Sequence, residues 1–313
     1  MSKLLFIDGE KAKNALPMGV LLTSLKGAFK SGCEVPLRHS HIMNNGSTLL
    51  MPAWDKKYYG LKTVNIYPEN GKRGLPGLHS TFQLFDAQTG KPLAVIDGDT
   101  ITCRRTAAAA ALGASFLARK DSSVHLLVGA GRVASLVPEA MKAAIPSLKK
   151  FLVWNYIEDE ATRLVASLKK QGFDAEVCKE LKDGCGKADI VTCATLSRKP
   201  LVHAEWLKPN SHLDLIGSFT PAMMETNPEC FANAAVYVDT MEAPTKSGDL
   251  LEAFKAGALK KEEIVSTLEE LCRGEKKGRT SNEGRTVFKA VGTALEDLAA
   301  AVVAYEAVSG SKL

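Results

Sequence analysis

The chain reads as an α/β protein, a Rossmann-type doubly wound parallel sheet preceded by an α+β domain. Three observations predict this. From about Val124 onward, apolar runs alternate with helical stretches, as expected of parallel strands joined by crossover helices. Within that region "HLLVGAGRVASL", residues 125–136, passes from an apolar strand through a glycine turn toward a helix. Before Asp97 the alternation is missing, and short strands and turns take its place.

In chain order, the first region offers a strand at "LLFID", a helix at "MGVLLTSLKGAF", and strands at "STLLMPAW" and "YGLKTVNIY". A strand pair follows in "STFQLFDAQTGKPLAVID", where Asp86 to Gly90 supplies the turn residues of a hairpin. Thr106 and the alanines 107–111 open a tightly packed helix joining the two regions, whose first amides are suited to an anion. The second region gives "VHLLVG", a helix through "ASLVPEAMKAA", "KFLVWN", a helix through "DEATRLVASLKKQ", then "DAEVC", "ADIVTCAT", "HLDLIG" and "AAVYVD". A polar helical stretch is expected over Leu250 to Arg273, and "VFKAVGTALEDLAAAVVAYEAV" reads as one long helix of small residues returning to the first domain. The expected division is 1–119, completed by a C-terminal helix at 290–313, and 120–289 as the dinucleotide-binding domain.

Composition narrows the function. The chain has 313 residues, 45% hydrophobic and 24% charged, enough for two domains with substantial cores. Its net charge of +5 comes from 40 basic and 35 acidic residues spread along the sequence, so nucleic acid is not implied. The apolar run in "MSKLLFIDGE" is too short for a signal peptide, and "TAAAAALGASFLA" is too short for a membrane span. A cytoplasmic location without membrane association is the expectation. Seven cysteines, widely spaced and without a C-x-x-C pair, are expected to be reduced thiols. His39 and His41 form an H-x-H pair with no third ligand spaced nearby, and no metal is expected.

Gly129, Gly131 and Ala134 stand in G-x-G-x-x-A spacing, with Arg132 and Val133 inside the turn. In a dinucleotide site the first glycine allows the tight turn, the second lets backbone approach the pyrophosphate, and the alanine allows close helix packing. About 20 residues further, where an acid would hold the ribose 2′-hydroxyl of NAD, stands Asn155. An amide does not repel a 2′-phosphate, and Arg132 adds positive charge. NADP(H) is therefore favoured, with NAD(H) as the alternative. In the first domain Arg38, Lys62 and Arg105 are cations among apolar or small residues, where they would be costly unless paired or meeting a ligand anion. A guanidinium binds a carboxylate bidentately, which suits Arg38 and Arg105 to an acid of amino-acid type. Arg104, the neighbour of Arg105, points elsewhere.

The segments "GLKTVNIYPEN", "GLPGLHSTFQLFDAQTGKPLAVIDGDTITCRRTAAAAALGA", "LLVGAGRVA", "WLKPNSHLDLIGSFTPAMME", "YVDTMEA" and "TVFKAVGTALEDLAAA" resemble the ornithine cyclodeaminase/μ-crystallin family. The resemblance implies a homodimer whose first domain, with the C-terminal helix, makes the subunit interface and the substrate pocket. It also implies that the family's carboxylate-binding residues fall on Arg38, Lys62 and Arg105, that Lys62 donates near the reacting nitrogen, and that Thr81 lies at the pocket or cofactor. Where ornithine cyclodeaminases carry an aspartate after a glycine, this chain has Ser218, placed here among the substrate-binding residues. A hydroxyl cannot replace a carboxylate base near neutral pH. The resemblance therefore points to the family's ketimine reductases, which act with NAD(P)H on Δ1-pyrroline-2-carboxylate and Δ1-piperideine-2-carboxylate. The alternatives are an alanine-type dehydrogenase, a true cyclodeaminase, and a non-catalytic NADPH-binding protein of μ-crystallin type.

Overall fold

The structure, a computed structural model, describes residues 4–310. The chain forms two compact units, one running to Arg105 and resuming at Thr293, the other spanning Thr106–Gly292. The division falls inside a helix, Gly98–Leu117, rather than at residues 119/120 where the sequence texture changes. The reason is packing: the alanine-rich half of that helix already belongs to the second unit, where Gly113 leaves room for the ring of Phe288.

The first unit begins with β1 (Leu5–Ile7), α1 (Gly9–Ala15) and α2 (Met18–Ser31). It continues through β2 (His39–Met43), β3 (Gly46–Trp54), β4 (Tyr58–Ile66), β5 (Leu78–Asp86), β6 (Pro92–Asp97) and the start of α3 (Gly98–Leu117). These strands make one sheet in the order β1-β6-β5-β4-β3-β2, antiparallel except for the β1–β6 pair. The hairpin read from Asp86 to Gly90 is present: the Asp86 carboxylate accepts the amides of Gln88 and Thr89, and Gly90 takes a left-handed φ of 72°. Along β4 burial alternates with period two, which puts Tyr58, Gly60, Lys62 and Val64 on the inner face. In α2, Met18, Leu21, Leu25 and Phe29 form the helical counterpart, a stripe spaced by three or four residues.

The second unit opens with β7 (Val124–Val128), α4 (Val137–Ala144), β8 (Lys150–Trp154), α5 (Glu158–Lys170), β9 (Asp174–Val177), α6 (Leu181–Lys187) and β10 (Ile190–Cys193). After these come β11 (Arg198–Val202), β12 (His212–Leu215), β13 (Met224–Thr226), β14 (Ala234–Val238), α7 (Ala243–Lys246), α8 (Gly248–Lys255), β15 (Ile264–Thr267), α9 (Leu268–Arg273) and β16 (Arg285–Lys289). Eight strands form a wholly parallel sheet, β15-β14-β16-β12-β10-β7-β8-β9, while β11 and β13 pair separately. Read outward from β7, the order reverses between β7 and β10. That reversal is the switch point of a doubly wound sheet, where ligands bind at the carboxyl ends of the strands.

Three expected helices are corrected. Thr106 does not open a helix: α3 begins at Gly98, so the amides at 106 and beyond are spent inside it and offer nothing to an anion. The stretch from Leu250 to Arg273 is broken by β15, because Ile264–Thr267 completes the sheet edge beside β14. The final helix does not begin at Val287: Arg285–Lys289 is strand β16 between β12 and β14, Gly292 turns the chain at a φ of 78°, and Thr293 caps α10 (Ala294–Ser309). Helix α10 packs in the first unit against α2 and β4, buried nearly all round.

Candidate functional site

In the second unit the glycine turn leaves the carboxyl end of β7, next to the switch point. The amide of Gly129 donates to Trp154 O across the ladder, and its φ of 117° excludes a side chain, as does Ala194 O lying against the Cβ position. Gly131 is different. A Cβ there would meet no protein atom within 4 Å, so nothing in the fold requires glycine. A pyrophosphate drawn close to the backbone would require it. Ala134, buried, begins a short 3-10 turn that leads into α4, and Arg132 is exposed on the turn with Val133 half-buried. These residues fit a dinucleotide. Asn155 sits just past β8 with its Nδ2 donating to Ile157 O (3.1 Å) and to Glu160 Oε2 (2.9 Å), a carboxylate that the spacing from the glycines did not reveal.

Two of the three predicted cations of the first unit are brought together by two acids that sequence reading passed over. Lys62 Nζ, on the inner face of β4, lies 2.6 Å from Asp297 Oδ2 and donates to Thr102 Oγ1 at 3.4 Å. Arg105, three residues beyond Thr102 on the same face of α3, donates through Nε to Asp297 Oδ1 (2.8 Å) and through Nη1 to Glu296 Oε2 (2.6 Å). All four charged side chains are buried. Arg105 thus meets its anions within the chain, but these bonds use only two of its five N–H groups and leave the Nη2 end of the fork for another acceptor. Burial lowers the Lys62 ammonium to about 8, against the pull of Asp297 and with help from the Arg105 charge. Burial alone would raise Asp297, but Arg105 and then Lys62 outweigh it and hold that carboxyl low. The signal in the sequence was the pair Glu296-Asp297 in an otherwise apolar, alanine-rich helix, where buried acids demand cations.

Arg38 is half-buried, one residue before His39, whose partner is Leu50; Met51, next along β3, pairs with Lys62. Arg38 thus stands at the entry to the edge strand β2, one strand removed from β4 and Lys62. Thr81, on β5, is exposed and alternates with Phe82, the partner of Lys62, so it projects from the other face of the sheet. Arg104 does point elsewhere, donating to Leu16 O. His39 and His41 lie on exposed β2, and among the described residues no group of three or more His, Cys, Asp or Glu is set to hold a metal ion.

Ser218 calls for a correction. Its side chain is fully buried, its Oγ donating to Met223 O (2.6 Å) and accepting from Asp249 N (3.1 Å). Both roles of the hydroxyl are taken inside the unit, so it shapes the 217–223 loop rather than facing a substrate. Phe219, 41% exposed, is the large apolar side chain this loop presents, beside the exposed Pro221 and Ala222. Behind it Glu225, fully buried, accepts Thr195 N (2.7 Å), Thr195 Oγ1 (2.9 Å) and Gly217 N (2.7 Å). Those partners follow β10 and β12, so one carboxylate ties together the two loops on one side of the switch point. A Cβ at Gly217 would overlap Thr195 O and the Glu225 carboxylate. Asp249 in turn accepts Glu225 N at 2.8 Å and lies 3.6 Å from the buried Lys289 ammonium.

A doubly wound sheet with a glycine turn fit for a dinucleotide, in one chain with a mainly antiparallel unit bearing a buried Lys–Arg pair, defines a two-unit class of protein with a Rossmann-type domain. The family model for the ornithine cyclodeaminase/mu-crystallin family matches residues 14–312, and the chain belongs to that family. It is 35% identical over 255 residues to a Δ1-pyrroline-2-carboxylate reductase of Paracoccus denitrificans, covering 81% of each chain. Among solved structures, the Δ1-pyrroline-2-carboxylate reductase of Thermococcus litoralis in complex with NADH and L-proline superposes with a TM-score of 0.92 at 30% identity, over 99% of this chain and 100% of that one. An archaeal alanine dehydrogenase dimer with bound NAD gives a TM-score of 0.92 at 30% identity, over 98% and 96%. Among the described residues no helix is long and apolar enough to cross a membrane.

Proposed function

We propose that the protein reduces cyclic imino acids, Δ1-pyrroline-2-carboxylate to L-proline or Δ1-piperideine-2-carboxylate to L-pipecolate, with NADH or NADPH as reductant. The observation that carries this reading is the buried Lys62–Asp297–Arg105–Glu296 network, which holds a guanidinium edge and a proton-bearing amine within one cluster. The Nη2 end of Arg105 takes the substrate carboxylate, aided by Arg38, and Lys62 Nζ serves the ring nitrogen. Bound NAD(P)H supplies a hydride to the imine carbon. Lys62 holds the proton at the nitrogen, so that the C=N bond becomes C–H and N–H, and solvent returns the proton to Nζ. The glycine turn at Gly129–Ala134 holds the pyrophosphate, while Thr81, turned to the other face of its sheet from Lys62, has no part in the proposal.

Cyclodeamination is disfavoured on a specific ground: residues 217–223 contain no carboxylate, and Glu225 beyond them is spent on backbone amides. A homodimer is part of the proposal. Strand β2 at the sheet edge is exposed throughout, with Ile42 and the preceding Leu37 projecting, and a self-pairing edge of this kind is what a second copy would cover.

The test is to incubate purified protein and NADH or NADPH with the prepared cyclic imine, with pyruvate plus ammonia, or to supply ornithine, following absorbance and analysing products. L-Proline or L-pipecolate from imine, with none from ornithine, is the expected result. Alanine from pyruvate at the higher rate would replace the proposal with the dehydrogenase, and tight nucleotide binding without turnover would replace it with a binding protein.

A further inference from the structure

The half-buried Glu160 carboxylate stands five residues beyond Asn155, in the first turn of α5, and accepts the Asn155 Nδ2 hydrogen bond. Asn155 occupies the end of the second strand counted from the glycine turn, where a Rossmann unit handles the adenosine ribose. Both partners of Asn155 Nδ2, the Ile157 carbonyl and the Glu160 carboxylate, are acceptors, so the orientation of the amide is fixed. Its two donor hydrogens are consumed, and it presents Oδ1, an acceptor. The surroundings point the same way. From Trp154 to Thr162 the chain has no basic residue, Arg163 being the first, and Glu158 and Asp159 stand exposed beside Glu160 in the first turn of the helix.

Resting on the dinucleotide reading of the glycine turn, we infer that Glu160, held by Asn155, makes this site selective for the unphosphorylated cofactor, NADH. The ribose hydroxyls of NADH are donors and meet acceptors, Asn155 Oδ1 and the Glu160 carboxylate. A 2′-phosphate is dianionic and acceptor-only; it would find no amide hydrogen on Asn155 and would face the acids of α5. Arg132 is exposed on the glycine turn, and its charge is open to the phosphates of either nucleotide. The acid that the usual spacing lacks is thus supplied from the next helix, and the preference for NADP(H) drawn from Asn155 and Arg132 is reversed.

Direct titration of NADH and NADPH into the full-length protein, by nucleotide fluorescence or calorimetry, tests this without reference to turnover. Wild-type protein should bind NADH about tenfold or more tightly than NADPH at low salt. Glu160→Gln keeps an oxygen for Asn155 but removes the charge; NADPH binding should tighten about fivefold or more while NADH weakens only slightly. Glu160→Arg should invert the preference, and thermal melting of each variant checks that it is folded. NADPH binding as tight as NADH in wild type, or an unchanged ratio in both variants, overturns the assignment to Glu160 and leaves the dinucleotide reading standing. Failure of wild type to bind either nucleotide overturns both.

Discussion

Lys62 illustrates how one strand position sets chemistry. Period two on β4 turns it inward, burial strips water from its ammonium, and Asp297 keeps enough counter-charge beside it that the group titrates at about 8 rather than 10.5. An amine in that range is protonated at neutral pH and still gives its proton readily. If the protonated form serves the imine nitrogen, kcat/KM should be level below about pH 8 and fall about tenfold per unit above it. Lys62→Met should lose about 100-fold or more in kcat/KM while nucleotide binding is kept. A pH profile flat to 10 in the wild type, measured with saturating cofactor, would remove Lys62 from the proton step. Arg105 is less open to a simple deletion: truncating it leaves Glu296 and Asp297 buried with fewer cations, and roughly 3–5 kcal/mol of stability would go with the binding energy.

At the scale of elements, the loops after β10 and β12 are tied to each other through the Glu225 carboxylate, which accepts amides from both. Burial raises its carboxyl, opposed by the charge on Lys289. In Glu225→Gln the amide can still accept through one oxygen but cannot serve Thr195 and Gly217 on two, so the loops beside the switch point should loosen. Because such loops position the reacting end of a bound dinucleotide, kcat should fall about tenfold or more with nucleotide affinity changed by less than about threefold. Equal losses in both would make Glu225 a general support of the fold. None of this clamp was legible in the sequence, since its partners lie 30 and 8 residues away and no local spacing encodes them. What was legible had a local cause. Strands β7, β8 and β10 are apolar runs buried on both faces, and the turn at Gly129 carries its own backbone demand. Strand β2, "HSHIM", is exposed at every position and shows no alternation to read, while β16, "RTVFK", ends in a buried lysine and merges with a helix-like stretch. Lys62 and Arg105 were visible as cations among small residues, but Glu296 and Asp297 looked like ordinary acids of a helix's first turn.

Over the whole molecule, two sets of buried acids pull stability in opposite directions with pH. Asp189 is the protective kind: burial would raise it, but the Ser123 amide, the Lys208 ammonium and the Val124 amide bring it down to about 2. Its contribution is present above the unfolded value near 3.8 and is lost as pH falls toward 2. Asp214 is the reverse. It lies fully buried on β12 between Thr192 of β10 and Phe288 of β16, and burial pushes it up to about 7, in spite of the Thr192 hydroxyl and the Lys289 charge. Between about 4 and 7 the folded state holds a proton at Asp214 that the unfolded state has released, so stability declines as pH rises through that window and the full cost is felt above it. Lys62 acts later: unfolded chains bind the extra proton between about 8 and 10.5, and its cost is relieved as pH climbs through that range. On these groups the melting temperature should therefore be highest near pH 4, somewhat lower at pH 5 and lower still at pH 8. Asp214→Asn, uncharged throughout, should stabilise the protein at pH 8 by on the order of 2–4 kcal/mol, raising the melting temperature by roughly 5 °C or more, and should do far less at pH 5. Thermal melts of both proteins at the two pH values decide it: an equal shift at pH 5 and pH 8 would mean that Asp214 is not the titrating group.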